Sequence, residues 1–225
     1  MLDLPDGEAH HVFKVLRGRE GDLVEIVDGT GRLFAGELLG GRRAAVRNEL
    51  EAVDTEGVEV TLYQAVPKGG RMDLVVEKAT EVGVSRIVPL VSERSIVSPR
   101  EGKVGRWRRM AEAAARQSLR LRVPAVEEPV RFEQAVRSVG EVGVLLHNDP
   151  GLESLEGVVG TPACLFVGPE GGWTGAELRL AEEAGLVLAG LGPYRLRSET
   201  AGIVAVARAR AAREVVRGVG DRERA

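Results

Sequence analysis

Apolar and polar positions alternate over the first quarter of the chain and then change period. Between 22 and 40, DLVEIVDGTGRLFAGELLG sets two apolar runs on either side of Asp28-Gly29-Thr30-Gly31, a hairpin signal. AAVRNEL (44–50) and VEVTLYQAV (58–66) read as further short strands. Several short strands packed this closely predict a small β-barrel. Ahead of them Val12, Val15 and Leu16 fall at i, i+3 and i+4, a short helix within 7–17.

The texture changes at Pro67-Lys68-Gly69-Gly70. MDLVVEKATEVGV is amphipathic and stops at Gly83, a residue suited to the left-handed position after a helix. RIVPLV reads as a strand and 103–120 as a long helix. EVGVLLH and ACLFVG lack polar alternation, which predicts strands buried on both faces. Thr174-Gly175-Ala176-Glu177 fits a capping box opening a helix that runs to about Gly185. LVLAGL follows as a strand, and a last helix spans about 199–217. This βα alternation predicts an α/β fold with a mostly parallel sheet. The expected domains are a barrel over 1–66 and an α/β domain over 67–225.

Composition adds limits. The single Cys164 lies within an expected strand, so an internal disulfide and a Cys-based zinc site are both excluded. The histidines are His10, His11 and His147, and no Asp/Glu/His cluster has metal-ligand spacing, so no metal is expected. No uncharged apolar run approaches the ~18 residues of a membrane span, and the N-terminus lacks a signal-peptide core. The reading is a soluble, cytoplasmic protein. Net charge is −3, which argues against bulk binding of phosphates. The distribution qualifies this, because REGKVGRWRRMAEAAARQSLRLR (100–122) is strongly basic. Such a stripe is either an RNA footprint or a solvated helix face.

Three loops follow three expected strands. The first runs from Leu146 and His147 to Pro150. The second is Val167-Gly168-Pro169-Glu170-Gly171-Gly172-Trp173. The third is Leu191-Gly192-Pro193-Tyr194-Arg195-Leu196-Arg197-Ser198-Glu199-Thr200. In open α/β sheets ligands bind beyond the carboxyl ends of strands, and glycines let main-chain groups approach a ligand closely. Neither of the two glycine-bearing loops, the second and third, matches GxGxxG, and no GxxxxGK[ST] occurs, so dinucleotide and nucleoside-triphosphate readings are disfavoured. Ser198 lacks the G-x-S-x-G setting of a hydrolase nucleophile. Arg195, Arg197 and Glu199 suit a charged substrate, or form a surface ion pair.

These residues complete a pattern. The chain resembles the RsmE family of 16S rRNA uridine N3 methyltransferases, within the SPOUT class of knotted S-adenosylmethionine enzymes. The resemblance rests on KGGRMDLVVEKATEVGV, SERS (92–95), RQSLRLRVP (116–124), FVGPEGGWTGAEL (166–178) and LGPYRLRSETA (191–201). It covers about 10–217. It departs at Leu119, where the family pattern has Gly. The resemblance implies a PUA-like N-terminal barrel, a C-terminal domain threaded into a trefoil knot, and a homodimer. It implies S-adenosylmethionine held by Leu146, His147, Val167, Gly168, Pro169, Glu170, Gly171, Gly172, Leu191, Gly192, Arg195, Leu196, Arg197 and Thr200. It implies 16S rRNA of the small ribosomal subunit as partner, touched by Lys68, Arg71, Arg94, Arg116, Gln117, Arg120 and Arg122.

The implied reaction methylates N3 of a uridine, and the N3 proton must leave, because a neutral imide is a poor nucleophile. Glu199 is then the candidate base, with Arg197 and Arg120 stabilising charge on the uracil oxygens. Glu199 is equally placed to be only a carboxylate complementing a helix N-terminus. Two other readings stay open: an RNA-binding or ribosome-assembly factor with the same fold, and a SPOUT methyltransferase acting on another RNA such as tRNA.

Overall fold

The chain divides into two units, Met1–Thr55 and Glu56–Ala225. The structure is a computed structural model that describes residues 1–51, 58–95, 102–139, 143–160 and 162–220, without the side chains of 213–220. The first unit carries β1 (Leu2–Asp3), α1 (Asp6–His10), a π-helical turn (His11–Val15), β2 (Leu23–Val27), β3 (Leu33–Leu39) and β4 (Arg43–Leu50). Its strands pair antiparallel in the order β1-β4-β3-β2. The expected hairpin is β2–β3. Its turn is fastened by the Asp28 carboxylate, which accepts from the Thr30 hydroxyl (2.7 Å), the Thr30 amide (2.8 Å) and Arg32 Nε (2.9 Å). The Thr30 side chain and amide hold the Asp28 carboxyl well below the ordinary carboxylate range.

The segment VEVTLYQAV does not belong to this sheet, which corrects the expected boundary at 66. As β5 (Val60–Ala65) it lies inside the second unit's sheet, parallel to strands on both sides. Its physical reason is burial on both faces: Val60, Leu62, Gln64 and Ala65 are all buried completely. A half-exposed barrel strand would keep one polar face.

The second unit continues with α2 (Met72–Glu81), β6 (Arg86–Val91), α3 (Lys103–Gln117), β7 (Ala125–Val126), β8 (Val130–Arg131), α4 (Phe132–Ser138) and β9 (Gly143–Leu146). It ends with α5 (Leu155–Val158), β10 (Ala163–Val167), α6 (Gly175–Glu183), β11 (Val187–Ala189) and α7 (Ser198–Gly220). The sheet order is β11-β9-β10-β5-β6-β7, all parallel, with β8 also on β6. Glu141 and Val142, expected to begin β9, fall outside the described residues. Alternate residues of the central strands feed two cores. Leu62, Val144, Leu146, Leu165 and Val167 pack with Met72, Val75 and Val76 of α2, Trp107 of α3, and Ala205, Val206 and Ala209 of α7. Leu145 and Phe166 face the other way, toward Phe132, Ala135 and Val136 of α4 and Ala181 of α6. Each such Val, Leu or Phe contributes about 1.5–3 kcal/mol on leaving water, so this layered core holds the strand ends in place.

Three helices end alike. After α2, Gly83 (φ +95°) donates its amide to the Thr80 carbonyl and Val84 to Ala79. After α6, Gly185 (φ +86°) donates to Glu182 and Leu186 to Ala181. Both are Schellman closures with a buried apolar residue following the glycine. After α3, Leu119 donates to Arg116 and Arg120 to Ala115, the same pattern with Leu119 at φ +57° and 87% exposed. The departure from Gly therefore keeps the closure and adds steric strain of ~1–2 kcal/mol. Leu119→Gly is expected to raise stability by about 0.5–1 kcal/mol, the relief less the entropy glycine loses on folding. Urea denaturation measures it; a lower midpoint would mean that Leu119 gains packing its exposure does not reveal.

Candidate functional site

The strands β11, β9 and β10 are neighbours and run parallel, so their carboxyl ends open onto one edge of the sheet. The three loops expected to carry chemistry leave from those ends and enclose a pocket of about 600 Å³. Its wall takes Leu146, His147 and Asn148 from the first loop, and Val167, Gly168, Pro169, Glu170, Gly171, Gly172 and Trp173 from the second. Leu191, Gly192, Tyr194, Arg195, Leu196, Arg197 and Ser198 come from the third, with Ala201 of α7 and Arg94 beside them. The structure thus brings together every cofactor residue named from the sequence except Thr200, which does not line the pocket.

Side chains from distant segments lock these loops to one another. The Trp173 indole donates to the Leu146 carbonyl (3.0 Å), which ties the second loop to the first. The Ser198 hydroxyl donates to the Gly168 carbonyl (2.6 Å), which ties the third loop to the second. Arg94 donates to the carbonyls of Gly171 (2.8 Å) and Trp173 (3.3 Å). A Cβ on Gly168 would lie 3.0 Å from the Trp173 ring, so glycine there lets the indole close over the strand end. The capping box at Thr174–Glu177 is present, and the buried Glu177 carboxylate also accepts from the Glu93 amide (2.8 Å).

Asn148, Trp173, Tyr194 and Ser198 lie in the three expected loops without an assignment to the cofactor, Ala201 lies just beyond them, and Arg94 is assigned to RNA alone. The readable signal was the indole closing GPEGGW at a buried strand end, where a large ring needs a hydrogen-bond partner for its N–H.

The charged groups are sorted differently from expectation. Arg195 and Arg197 are exposed on the pocket wall. Glu199 is not on that wall: it is 5% exposed in the first turn of α7. Its Oε1 lies 3.5 Å from Arg71 Nε, and its Oε2 is buried without a hydrogen-bond partner among the described residues. Arg71 in turn lies 3.8 Å from Glu170 Oε1, which accepts from the Lys68 amide (3.1 Å). Arg120 is not at the pocket either. Its Nη1 donates to the carbonyls of Thr80 (2.9 Å), in the last turn of α2, and Val84 (2.8 Å), just beyond that helix. The place expected for Arg120 is thus not met within this chain's pocket, and its guanidinium serves the close of α2. Of the other residues expected to touch RNA, Lys68, Arg71, Arg94, Arg116, Gln117 and Arg122 are all exposed. Among the described residues no three His, Cys, Asp or Glu side chains converge as a metal site. No described helix is long and apolar enough to cross a membrane.

The site can do specific work. Its main-chain-rich glycine loops and apolar strand ends suit a neutral ring and polar ligand atoms, and its volume lies in the range of small-molecule sites. Two exposed guanidinium groups at its mouth favour a partner that carries or develops negative charge.

Comparison with known proteins agrees with this geometry. Residues 54–210 match the family described as RNA methyltransferase domain, and residues 4–47 that described as RNA methyltransferase PUA domain. The chain is 34% identical to ribosomal RNA small subunit methyltransferase E of Synechocystis sp., over 92% of this chain and 71% of that protein. It is 29% identical to ribosomal RNA small subunit methyltransferase E of Bacillus subtilis, over 94% and 90% of the two chains. Among solved structures it is similar to ribosomal RNA small subunit methyltransferase E from Neisseria gonorrhoeae bound to S-adenosyl methionine. That likeness has a TM-score of 0.79 and 32% identity and covers 92% of this chain and 89% of that one.

Proposed function

The chain belongs to the ribosomal RNA small subunit methyltransferase E family of RNA methyltransferases, and we propose that it methylates N3 of a uridine in 16S rRNA at the pocket described above. The observation that carries this is the convergence of three consecutive strand-end loops on one cavity with Arg195 and Arg197 at its mouth. In keeping with the family pattern, the chain after β11 is read as threaded into a trefoil knot, the first unit as a PUA-like barrel, and the enzyme as soluble and cytoplasmic. A homodimer is supported by Ile203, Val204 and Ala207, which stay half-buried on α7 while Ala205, Val206 and Ala209 enter the core.

The residues fit S-adenosylmethionine. Gly168 leaves room for Trp173 at the pocket wall, and Leu146, Val167, Leu191, Leu196 and Ala201 give apolar surface for an adenine ring. When bound, the cofactor supplies an electrophilic methyl group on a sulfonium, and the loops hold it for in-line attack. N3 lies on the Watson–Crick edge, so the target base is unpaired or flipped. Arg197 stabilises the negative charge that gathers on the uracil oxygens as the N3 proton departs to solvent. Glu199, through Arg71, keeps the Lys68–Arg71 loop against Glu170. Exposed Lys68, Arg116 and Arg122 hold RNA phosphates.

The test incubates the protein with labelled S-adenosylmethionine and undermethylated small subunits and digests the RNA to nucleosides. Label in 3-methyluridine is expected. Label in a 2′-O-methylated nucleoside, or transfer to tRNA in preference to the subunit, would overturn the reading.

A further inference from the structure

Gln64 is a fully buried side-chain amide next to the end of a central strand, and nothing in the methyl-transfer chemistry uses it directly. It pairs in register with Val167, the residue before Gly168. Its Nε2 donates to the Ala65 carbonyl (3.0 Å) and to the Ser198 hydroxyl (2.9 Å). Ser198 accepts that bond and spends its single proton on the Gly168 carbonyl (2.6 Å). The direction of this relay is fixed by the amide. With Nε2 toward Ser198, the hydroxyl has no acceptor on Gln64 and its proton stays on Gly168.

The Ala65 carbonyl, which can only accept, keeps the amide turned this way, and Gly202, one helical turn beyond Ser198 on α7, leaves room for its other end. Gln64 Oε1 is buried and has no hydrogen-bond partner among the described residues. It sits so close to Gly202 that a Cβ there would lie 2.1 Å from it. The missing Cβ of glycine thus leaves the amide oxygen its seat. The cost of an unpaired buried oxygen is borne by the fold, and what it secures is the join between β5, the second loop and the start of α7.

We propose that Gln64 is a positioning residue for the pocket: seated on Gly202, its amide orients Ser198, which fixes the Gly168 carbonyl and with it the Gly168–Gly172 loop. The inference rests on the reading of this pocket as the S-adenosylmethionine site. It predicts that cofactor affinity depends on the relay beyond any effect on stability.

The experiment titrates S-adenosylmethionine calorimetrically into the full chain and records the thermal midpoint of each variant. Ser198→Ala removes the relay and is expected to weaken binding by about five- to tenfold, the worth of one net hydrogen bond. Ser198→Thr keeps a hydroxyl and should restore most of it. Gly202→Ala drives a methyl into Gln64 Oε1 and should lower both midpoint and affinity. The double variant Gly202→Ala/Gln64→Ala removes the clash, so the midpoint should recover while affinity stays low. Adding Ser198→Ala to that double variant should weaken binding no further, because one relay cannot be broken twice. Recovery of affinity together with the midpoint would overturn the proposal and leave Gln64 as packing alone. So would wild-type affinity in folded Ser198→Ala. If the wild-type chain itself binds no S-adenosylmethionine, the cofactor reading fails and takes the inference with it.

Discussion

Arg197→Ala is expected to slow single-turnover methyl transfer by about 10²–10³-fold, the usual cost of deleting one donor aimed at developing charge. The expectation follows from position. Arg197 stands exposed on the pocket wall in the third loop, immediately before the buried start of α7. Its removal takes no atom from either core cluster, so the thermal midpoint and cofactor affinity should move little. Arg197→Lys keeps the charge and loses the planar fork, so an intermediate rate would point to bidentate contact. The companion variant is Glu199→Gln. The Glu199 carboxylate is buried off the wall with Oε1 toward Arg71, a place that suits a helix-end carboxylate holding Arg71. Its rate should therefore stay within about threefold of wild type on a scale where a general base supplies 10²–10⁴. The measurement uses RNA and cofactor at saturation across pH. The reverse result, a crippled Glu199→Gln with an active Arg197→Ala, would restore Glu199 as the base, the role its place in the family pattern suggested.

The burial of Glu199 off the pocket wall shows where sequence stops being legible. Periodicity gave the βα alternation, the loops at the strand ends and the glycines that close α2 and α6, because each of these is a local property of a few neighbouring residues. Apolar runs in β9 and β10 announced burial on both faces, and the structure buries them so. The same rule applied to VEVTLYQAV would have moved it from the barrel to the parallel sheet. Proximity to the hairpin strands outweighed it, since a short apolar run does not declare which sheet it joins. Helix α4 was missed because seven residues (Phe132–Ser138) carry too few turns for a periodic signal. The surroundings of Arg120 and Glu199 are not legible for another reason. Their partners, Thr80 and Val84 for one and Arg71 for the other, lie far away in the chain, and no spacing rule sees a long-range hydrogen bond. The same holds for Gln64 and Ser198, 134 residues apart. A motif names the residues that gather at a site, and only the fold decides which of them face the ligand.

Glu177→Ala should cost about 3–5 kcal/mol of stability and loosen the pocket with it. The Glu177 side chain is 3% exposed, and its two oxygens serve two separate amides. Oε2 accepts from Thr174 at the start of α6, and Oε1 accepts from Glu93 in the turn after β6, each at 2.8 Å. Hydrogen bonds to a charged acceptor are worth about 1.5–3 kcal/mol each, and truncation leaves both amides without a partner. The turn at 92–95 closes on itself through Ser92 and Ser95 (2.9–3.0 Å). Thr174 also grips it by donating to the Glu93 carboxylate (2.9 Å). Without the Glu177 carboxylate that turn loses its main anchor to α6, and Arg94 goes with it. Arg94 holds the carbonyls of Gly171 and Trp173, so the second loop should loosen and S-adenosylmethionine affinity should fall by more than about tenfold, the equivalent of 1.4 kcal/mol. Glu177→Gln retains one acceptor oxygen and should lose about half as much stability. Urea denaturation and calorimetric titration on the two variants check both parts. A loss under about 1 kcal/mol in Glu177→Ala would mean that water replaces the carboxylate at both amides. Unchanged cofactor affinity in a destabilised variant would separate the 92–95 turn from the pocket, and Arg94 would then hold the second loop without help from α6.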